Sequence, residues 1–431
     1  MSTPDDAPVT DAPVTGDPVT VRPARPDEAP SLVDLDDLVW AESERLPREV
    51  RLRSVPTRTV LVATREGETA GVTGAWDVEV GVPDGRGRAR LVPADGVTWV
   101  GVHPDHTRRG VLTALIGSQL PATREAGRAL SVLKASDSGI YGRFGYGTAS
   151  TVLRASFAGG TTFAAPPEIQ ELADATRTRL QTAGPDLAPR LHAAWRRAAT
   201  DRAGEVVRTE ADLTRNLTDV PEHRGDREPN RVLVATRDDE VVGFAVVRRT
   251  VTEEGSVLGG RADVPIVTTA DAAARLALAQ RLTRLDLVTR TDWWVPADDP
   301  LVLWQPGWPR SLADGVVDSL WLRLVDLPAA VALRGTAADL DVVVEVADPV
   351  LPENAGTWRW TARSGEGRLE RSGEQAQLSV DVGDLASVWL GGRSLGALAV
   401  AGRVREHAPG AVARLDAALR TPVLPAQSVD F

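Results

Sequence analysis

The chain has 431 residues, a net charge of −11 and 42% apolar residues, a length that accommodates about three domains of ordinary size. It has no cysteine, which excludes disulfides, zinc–thiolate sites and a cysteine acyl-enzyme. The acidic balance argues against nucleic acid and anionic membranes, both of which need a basic face, and suits cationic partners.

In chain order, residues 1–20 repeat Pro-Val-Thr between acidic spacers and read as a disordered tail. This acidic stretch lacks the apolar core of a secretory signal, and no run approaches the roughly 18 apolar residues of a membrane span. A cytoplasmic location is therefore expected. Val21-Arg22-Pro23 reads as a strand leading to a helix from Ser31 to Glu44, with Leu32, Leu35, Val39 and Leu46 on one face. Glu42 and Glu44, near its end, read by themselves as a solvated edge. Two strands follow at 59–65 and 69–76, joined by a polar turn and set beside a third, Val97 to Val102.

The chain then turns through His103-Pro104-Asp105-His106-Thr107-Arg108-Arg109-Gly110 into a helix marked by Val111, Leu112, Leu115, Ile116 and Leu120. A strand that feeds a helix through a basic, glycine-containing turn leaves backbone N–H groups and the positive dipole end facing the turn, a seat for phosphate. Arg108 and Arg109 add charged donors. His103 and His106 lack a third ligand, so local hydrogen bonding is expected there and no metal site. A strand from Ala129 to Leu133 then runs into Gly139-Ile140-Tyr141-Gly142-Arg143-Phe144-Gly145-Tyr146-Gly147, which holds both tyrosines of the chain.

Val60-Leu61-Val62-Ala63-Thr64-Arg65 recurs letter for letter as Val232-Leu233-Val234-Ala235-Thr236-Arg237, and Glu68 and Gly71 recur in register as Glu240 and Gly243. The repeat implies a second copy of the same fold, with a helix from Leu187 to Thr200 in place of the early helix. This copy lacks the chemistry. The turn after its strand Asp263–Val267 is Thr268-Thr269-Ala270-Asp271-Ala272-Ala273-Ala274, without glycine or arginine, and no tyrosine follows a later strand at Leu285–Val288. From about Ala313 the pattern changes to period-2 strands at 320–324, 341–346 and 358–361, then helices near 384–390, 395–401 and 410–419, an α+β layer.

Val100 to Leu112 resembles the coenzyme A pyrophosphate loop of the GNAT acetyltransferases. Ala135-Ser136-Asp137-Ser138 through Gly147 is similar, more narrowly, to the Eis (enhanced intracellular survival) family of actinobacteria. The resemblance implies an α+β chain of tandem GNAT domains plus a C-terminal sterol-carrier-protein-like domain: a tail at 1–20, a catalytic GNAT domain at 21–155, a degenerate copy at 156–312 and the sterol-carrier-like domain at 313–431. It implies acetyl-CoA as cosubstrate, with Arg108, Arg109 and the N–H groups of Gly110, Val111, Leu112 and Thr113 on the pyrophosphate. Val100, Gly101 and Val102 would bond the pantetheine arm, and Ser136 would also border the cofactor. Two departures are visible: Thr107 stands where the family has Gln or Arg, and Leu112 where other GNATs have a small residue. Weaker phosphate affinity is expected, not loss of binding.

The resemblance further implies Tyr141 as general acid and the carboxylate of Phe431 as base. A phenol with an ordinary pKa near 10 is suited to protonating a leaving thiolate, and Tyr146 reads as packing. Glu42, Glu44 and Asp430 would form an acidic pocket for aminoglycosides, polyamines or protein lysines, acetylated directly in a ternary complex. A homo-hexamer is expected on the same ground. The rival reading is a non-catalytic protein that binds coenzyme A and lipid.

Overall fold

The computed structural model describes residues 18–40, 48–53, 55–254, 257–305 and 315–428. The first seventeen residues, Glu42, Glu44, Leu46, Asp430 and Phe431 lie outside the described residues. Two units emerge, Met1–Gly74 with Trp99–Gln119, and Ala75–Thr98 with Leu120–Phe431.

The first unit begins with strand β1 (Thr20–Pro23), helix α1 (Ala29–Trp40) and a short helix α2 (Arg48–Leu52). Strand β2 (Thr59–Arg65) pairs antiparallel with β1, from Thr20↔Thr64 to Pro23↔Leu61. Strands β3 (Glu68–Pro83) and β4 (Ala89–Val102) follow, and α3 (Val111–Glu125) closes the series. The alternation of β2 sorts its side chains onto two faces, as a period of two requires. Val60 and Val62 pack with Leu32, Val33 and Leu35 of α1, whereas Leu61 and Ala63 pack with Val111 and Leu115 of α3. Gly71 is required by a close approach: a Cβ there would lie 2.8 Å from the Gly101 carbonyl and 2.9 Å from Val111.

The second unit continues in chain order with β5 (Leu130–Leu133), α4 (Ser138–Tyr141), β6 (Gly147–Thr148), β7 (Thr151–Ala158), α5 (Pro167–Asp174), β8 (Arg177–Thr182), α6 (Ala188–Ala198), β9 (Val206–Val207) and α7 (Glu210–Leu217). Then come β10 (Arg231–Arg237), β11 (Glu240–Glu254), β12 (Val257–Thr269), α8 (Ala272–Thr283), β13 (Arg290–Val295), α9 (Pro300–Leu303), β14 (Val316–Asp318) and β15 (Trp321–Leu324). The chain ends with α10 (Leu327–Leu333), β16 (Leu340–Ala347), β17 (Gly356–Arg363), β18 (Glu366–Arg371), β19 (Leu378–Asp381), α11 (Val382–Val388), α12 (Leu395–Val400), β20 (Val404–Glu406) and α13 (Ala411–Leu419).

Strands β7, β8 and β10–β14 form a seven-stranded sheet in the order β14-β7-β13-β12-β11-β10-β8, with β12 and β13 parallel around α8. This is the second copy that the repeat implied. Its Gly243 faces the same constraint as Gly71, since a Cβ there would lie 2.9 Å from the Thr268 carbonyl. The strand expected at Leu285–Val288 is instead a turn in which Leu287 has a left-handed φ of 63°, and the strand is β13. Strands β16–β20 form a five-stranded sheet, β18-β17-β16-β19-β20, covered by the last helices.

Strand β15 reads in sequence with these later strands, yet it pairs antiparallel with β5 (Trp321↔Leu133 to Leu324↔Leu130) and with β6 (Trp321↔Thr148). Its Arg323 explains why the C-terminal layer and β15 are inseparable. The guanidinium is sealed from solvent and donates to both Asp348 oxygens at 2.7 Å, and Asn354 Nδ2 donates to Asp348 at 3.0 Å and to the Leu324 carbonyl at 3.1 Å. Removing one member of such a pair strands a buried charge. Asp348→Ala should therefore destabilise the protein by about 3–5 kcal/mol, read as a lower urea midpoint, whereas Arg363→Ala at an exposed pair with Asp339 should leave the midpoint unchanged.

Candidate active site

In the first unit, backbone geometry shapes the turn that leads from β4 into α3. Trp99 has φ of 53° inside β4, a left-handed value uncommon for a residue with a side chain. Gly101 is buried, Val100 and Val102 are half-buried, and the His103 N–H donates to the Ala70 carbonyl at 2.9 Å. A single 3-10 turn, Pro104–His106, follows, in which His103 Nδ1 accepts from the Asp105 N–H at 3.2 Å and Thr107 Oγ1 donates to the Pro104 carbonyl at 3.0 Å. His103 thus serves the turn locally, whereas His106 Nε2 lies 3.6 Å from the Glu68 carboxylate.

Arg108 (φ 58°) and Gly110 (φ 80°) are both left-handed, and they bend the chain into α3. The helix starts without an acidic residue in its first turn, and its first internal bond to Gly110 comes from Ala114. The N–H groups of Val111, Leu112 and Thr113 therefore precede the helical ladder, where the dipole is positive. Arg108 and Arg109 are exposed, and neither has a hydrogen-bond or ion-pair partner among the described residues.

In the second unit, Asp137 caps the four-residue helix α4 by accepting from the Gly139 N–H at 2.8 Å, and Ser136 is exposed just before it. Tyr141 ends that helix, 6% exposed, and burial pushes its phenol up to about 12. Its ring stands edge-on to Tyr146 at 5.8 Å. Tyr146 is buried further and its hydroxyl shares a 2.8 Å hydrogen bond with Ser131 of β5, so it is a packing residue with a satisfied polar end. The glycines on either side of it are dictated by contact. A Cβ on Gly145 would lie 2.9 Å from the Arg323 guanidinium, and one on Gly147 would lie 2.0 Å from the Gly383 carbonyl of α11.

The corresponding turn of the second copy has filled its own seat. Asp271 caps α8 by accepting from the Ala274 N–H at 2.7 Å, and Arg237 donates to it at 2.8 Å. Burial opposes ionisation of that carboxyl, but Arg237 and the helix N–H groups outweigh it and hold the group below the usual carboxylate range. A carboxylate from the chain itself thus satisfies the start of this helix.

Of the residues singled out from sequence, 100–102 and 108–113 form one continuous strand–turn–helix, and Ser136 and Tyr141 share one segment. Glu42, Glu44, Asp430 and Phe431 lie outside the described residues. Sequence reasoning missed Arg323, Asp271 as a cap, and Glu205. Glu205 is a buried acid that accepts from Trp195 Nε1 at 2.8 Å and from Ser428. An Asp before an alanine-rich helix is a legible cap signal; nothing local marks the other two.

Models of the acetyltransferase (GNAT) domain match residues 20–149 and, separately, 204–324, and a sterol carrier protein domain model matches 327–426. An uncharacterized N-acetyltransferase of Streptomyces coelicolor is 35% identical over 374 residues, covering 85% of this chain and 88% of the relative. The N-acetyltransferase Eis of Mycobacterium bovis is 29% identical over 389 residues, covering 86% and 88%. The crystal structure of Eis1 from Mycobacterium abscessus superposes with a TM-score of 0.78 at 29% identity, over 96% of this chain and all of that one. An arginine-flanked left-handed turn at a helix start, a second copy with its seat closed, and a third layer all agree with these matches: the chain belongs to the Eis-type family of GNAT N-acetyltransferases.

Proposed function

We propose that the enzyme transfers acetyl from acetyl-CoA to a primary amine of a cationic acceptor, an aminoglycoside, a polyamine or a protein lysine, directly in a ternary complex. The observation that carries this reading is the turn at 103–113, where exposed Arg108 and Arg109 and three N–H groups outside the helical ladder converge on what a pyrophosphate needs. In this reading Gly110, Val111, Leu112 and Thr113 hold the pyrophosphate through their N–H groups, Val100, Gly101 and Val102 hold the pantetheine arm, and Ser136 borders it.

The amine nitrogen attacks the thioester carbonyl, a C–N bond forms, and the C–S bond breaks. The departing sulfur takes the Tyr141 phenolic proton, and the nitrogen gives its proton to the carboxylate of Phe431. Burial that pushes Tyr141 up keeps it protonated wherever an amine is partly free, so it is a reliable donor. Glu42, Glu44 and Asp430 attract the acceptor's remaining positive charges, in keeping with the net charge of −11. We assign catalysis to residues 21–155 together with β15, a structural role to the second copy within 156–312, and the sterol-carrier-like layer to the remainder. The enzyme would work as a cytoplasmic homo-hexamer.

Tyr141→Phe should lower kcat by roughly 10²-fold or more with little change in the KM for acetyl-CoA, measured by free-thiol release with an amine panel. Arg108→Ala combined with Arg109→Ala should instead raise that KM, by about tenfold per lost charged contact of about 1.5 kcal/mol. The proton of Tyr141 is present below its folded pKa of about 12 and lost above it, so no alkaline fall in kcat should arise from this group below about pH 11. Full turnover in Tyr141→Phe would overturn the assignment.

A further inference from the structure

In the first copy β4 ends at Val102 and α3 begins at Val111, so eight residues link strand to helix; in the second, β12 ends at Thr269 and α8 begins at Ala272, so two residues do. Both loops leave their sheet alike. The His103 N–H donates to the Ala70 carbonyl at 2.9 Å, and the Ala270 N–H donates to the Val242 carbonyl at 2.8 Å. The short loop is closed by Asp271, which caps α8 directly. The long one enters a helix with no acidic residue in its first turn and carries two left-handed residues, Arg108 and Gly110. A left-handed arginine persists only where its surroundings hold it.

His106 is the side chain that this loop buries. It is 5% exposed, while Asp105, Thr107, Arg108 and Arg109 around it are all exposed. Its N–H donates to the His103 carbonyl at 2.9 Å, and the two rings stand edge-on at 5.7 Å. Nε2 lies 3.6 Å from the Glu68 carboxylate, and Nδ1 has no hydrogen-bond partner among the described residues. Burying an imidazole is costly where an apolar side chain would fill the same space, so the contact with Glu68 is the reason for a histidine here. Glu68 is exposed, yet its place is set by the hairpin tip before it: Glu66 (φ 55°) and Gly67 (φ 81°) are both left-handed, as in a two-residue type I′ turn, and Glu68 opens β3. The second copy keeps this hairpin, with Asp238 (φ 49°) and Asp239 (φ 62°) at its tip and Glu240 opening β11, but its two-residue loop has no histidine. The glutamate is common to both copies; the histidine belongs to the copy with the arginine-bearing loop.

We propose that His106 is a positioning residue for acetyl-CoA: docked on Glu68, it fixes the turn at 103–110 to the hairpin of β2 and β3, so that Arg108, Arg109 and the first N–H groups of α3 meet the pyrophosphate already in place. This rests on the reading of that turn as the pyrophosphate site. Neither His106 nor Glu68 touches the cofactor in this scheme. The pair lowers the cost of ordering the loop when cofactor binds, an effect that appears in affinity and not in the chemical step.

The test titrates coenzyme A into the full-length protein by calorimetry and follows acetyl transfer to spermidine by free-thiol release. Glu68→Ala removes an exposed carboxylate and should weaken coenzyme A binding about threefold. His106→Leu, apolar and of similar size, should weaken it roughly tenfold, and in both variants kcat at saturating acetyl-CoA should stay within about twofold of the parent. His106→Gln keeps a donor near the place of Nε2 and should recover most of the affinity. Glu68→Ala combined with His106→Leu should bind no more weakly than His106→Leu alone, because both act through one contact; losses that multiply would overturn the inference. Parental affinity in either single variant, with affinity lost in Arg108→Ala combined with Arg109→Ala, would overturn the inference and leave the pyrophosphate reading standing. Parental affinity in the double arginine variant would overturn both. If His106→Leu does not fold, Glu68→Ala decides: a loss of affinity at unchanged kcat supports the inference, and unchanged affinity overturns it.

Discussion

The second unit is organised around one buried ion pair, Arg323 with Asp348. Taking two charges out of water is costly, and the cost is offset by the hydrogen bonds around the pair: both Asp348 oxygens accept from Arg323, and Asn354 adds a third donor and closes onto the backbone of β15. What the pair contributes is placement. Arg323 sits on the strand between β5 and β6, its guanidinium lies where any side chain at Gly145 would be, and its charge faces Tyr146. The segment that ends in Gly-Tyr-Gly is thus shaped by a residue from the other side of the second copy and by an aspartate from the sterol-carrier-like layer. That layer is an internal support for the segment bearing Tyr141.

Local signals were legible wherever a short stretch determines its own geometry. The turn at 103–110, the helix that follows it, the letter-for-letter repeat and the alternating strands at 341–346 and 358–361 all have their counterparts in the structure, whereas the strand at 320–324 joins a different sheet. Even the repeated glycine has its reason in a close strand approach at Gly71 and Gly243. Illegible were contacts between residues distant in sequence. Nothing in Trp321–Leu324 says that its neighbours are β5 and β6, and a lone Glu205 between Gly204 and Val206 carries no mark of a partner at Ser428. Leu285–Val288 failed for a different cause: its apolar letters describe a buried turn, in which Leu287 adopts a left-handed φ that composition cannot announce.

The two copies differ most plainly at the turn that enters the helix. Both have a strand entering a helix, and both leave helix N–H groups facing the turn. In the first copy two left-handed residues and two exposed arginines keep that end open; in the second a single aspartate, neutralised by Arg237, satisfies it from within. In the second copy α6 holds Trp195 against Glu205, and the loop at 202–205 bonds to residues 424–428.

The placement of β15 also has a bearing on biosynthesis. Because β5 and β6 await a strand encoded after the whole of the second copy, the stretch carrying both tyrosines leaves the ribosome without its eventual neighbour, and the intervening sheet can close first. Completion of the tyrosine-bearing layer is then a late event in which the nascent polypeptide reaches back across a finished module. A fragment ending before β15 would expose the open edges of β5 and β6, so the first copy is not a unit that can be excised and expected to stand alone.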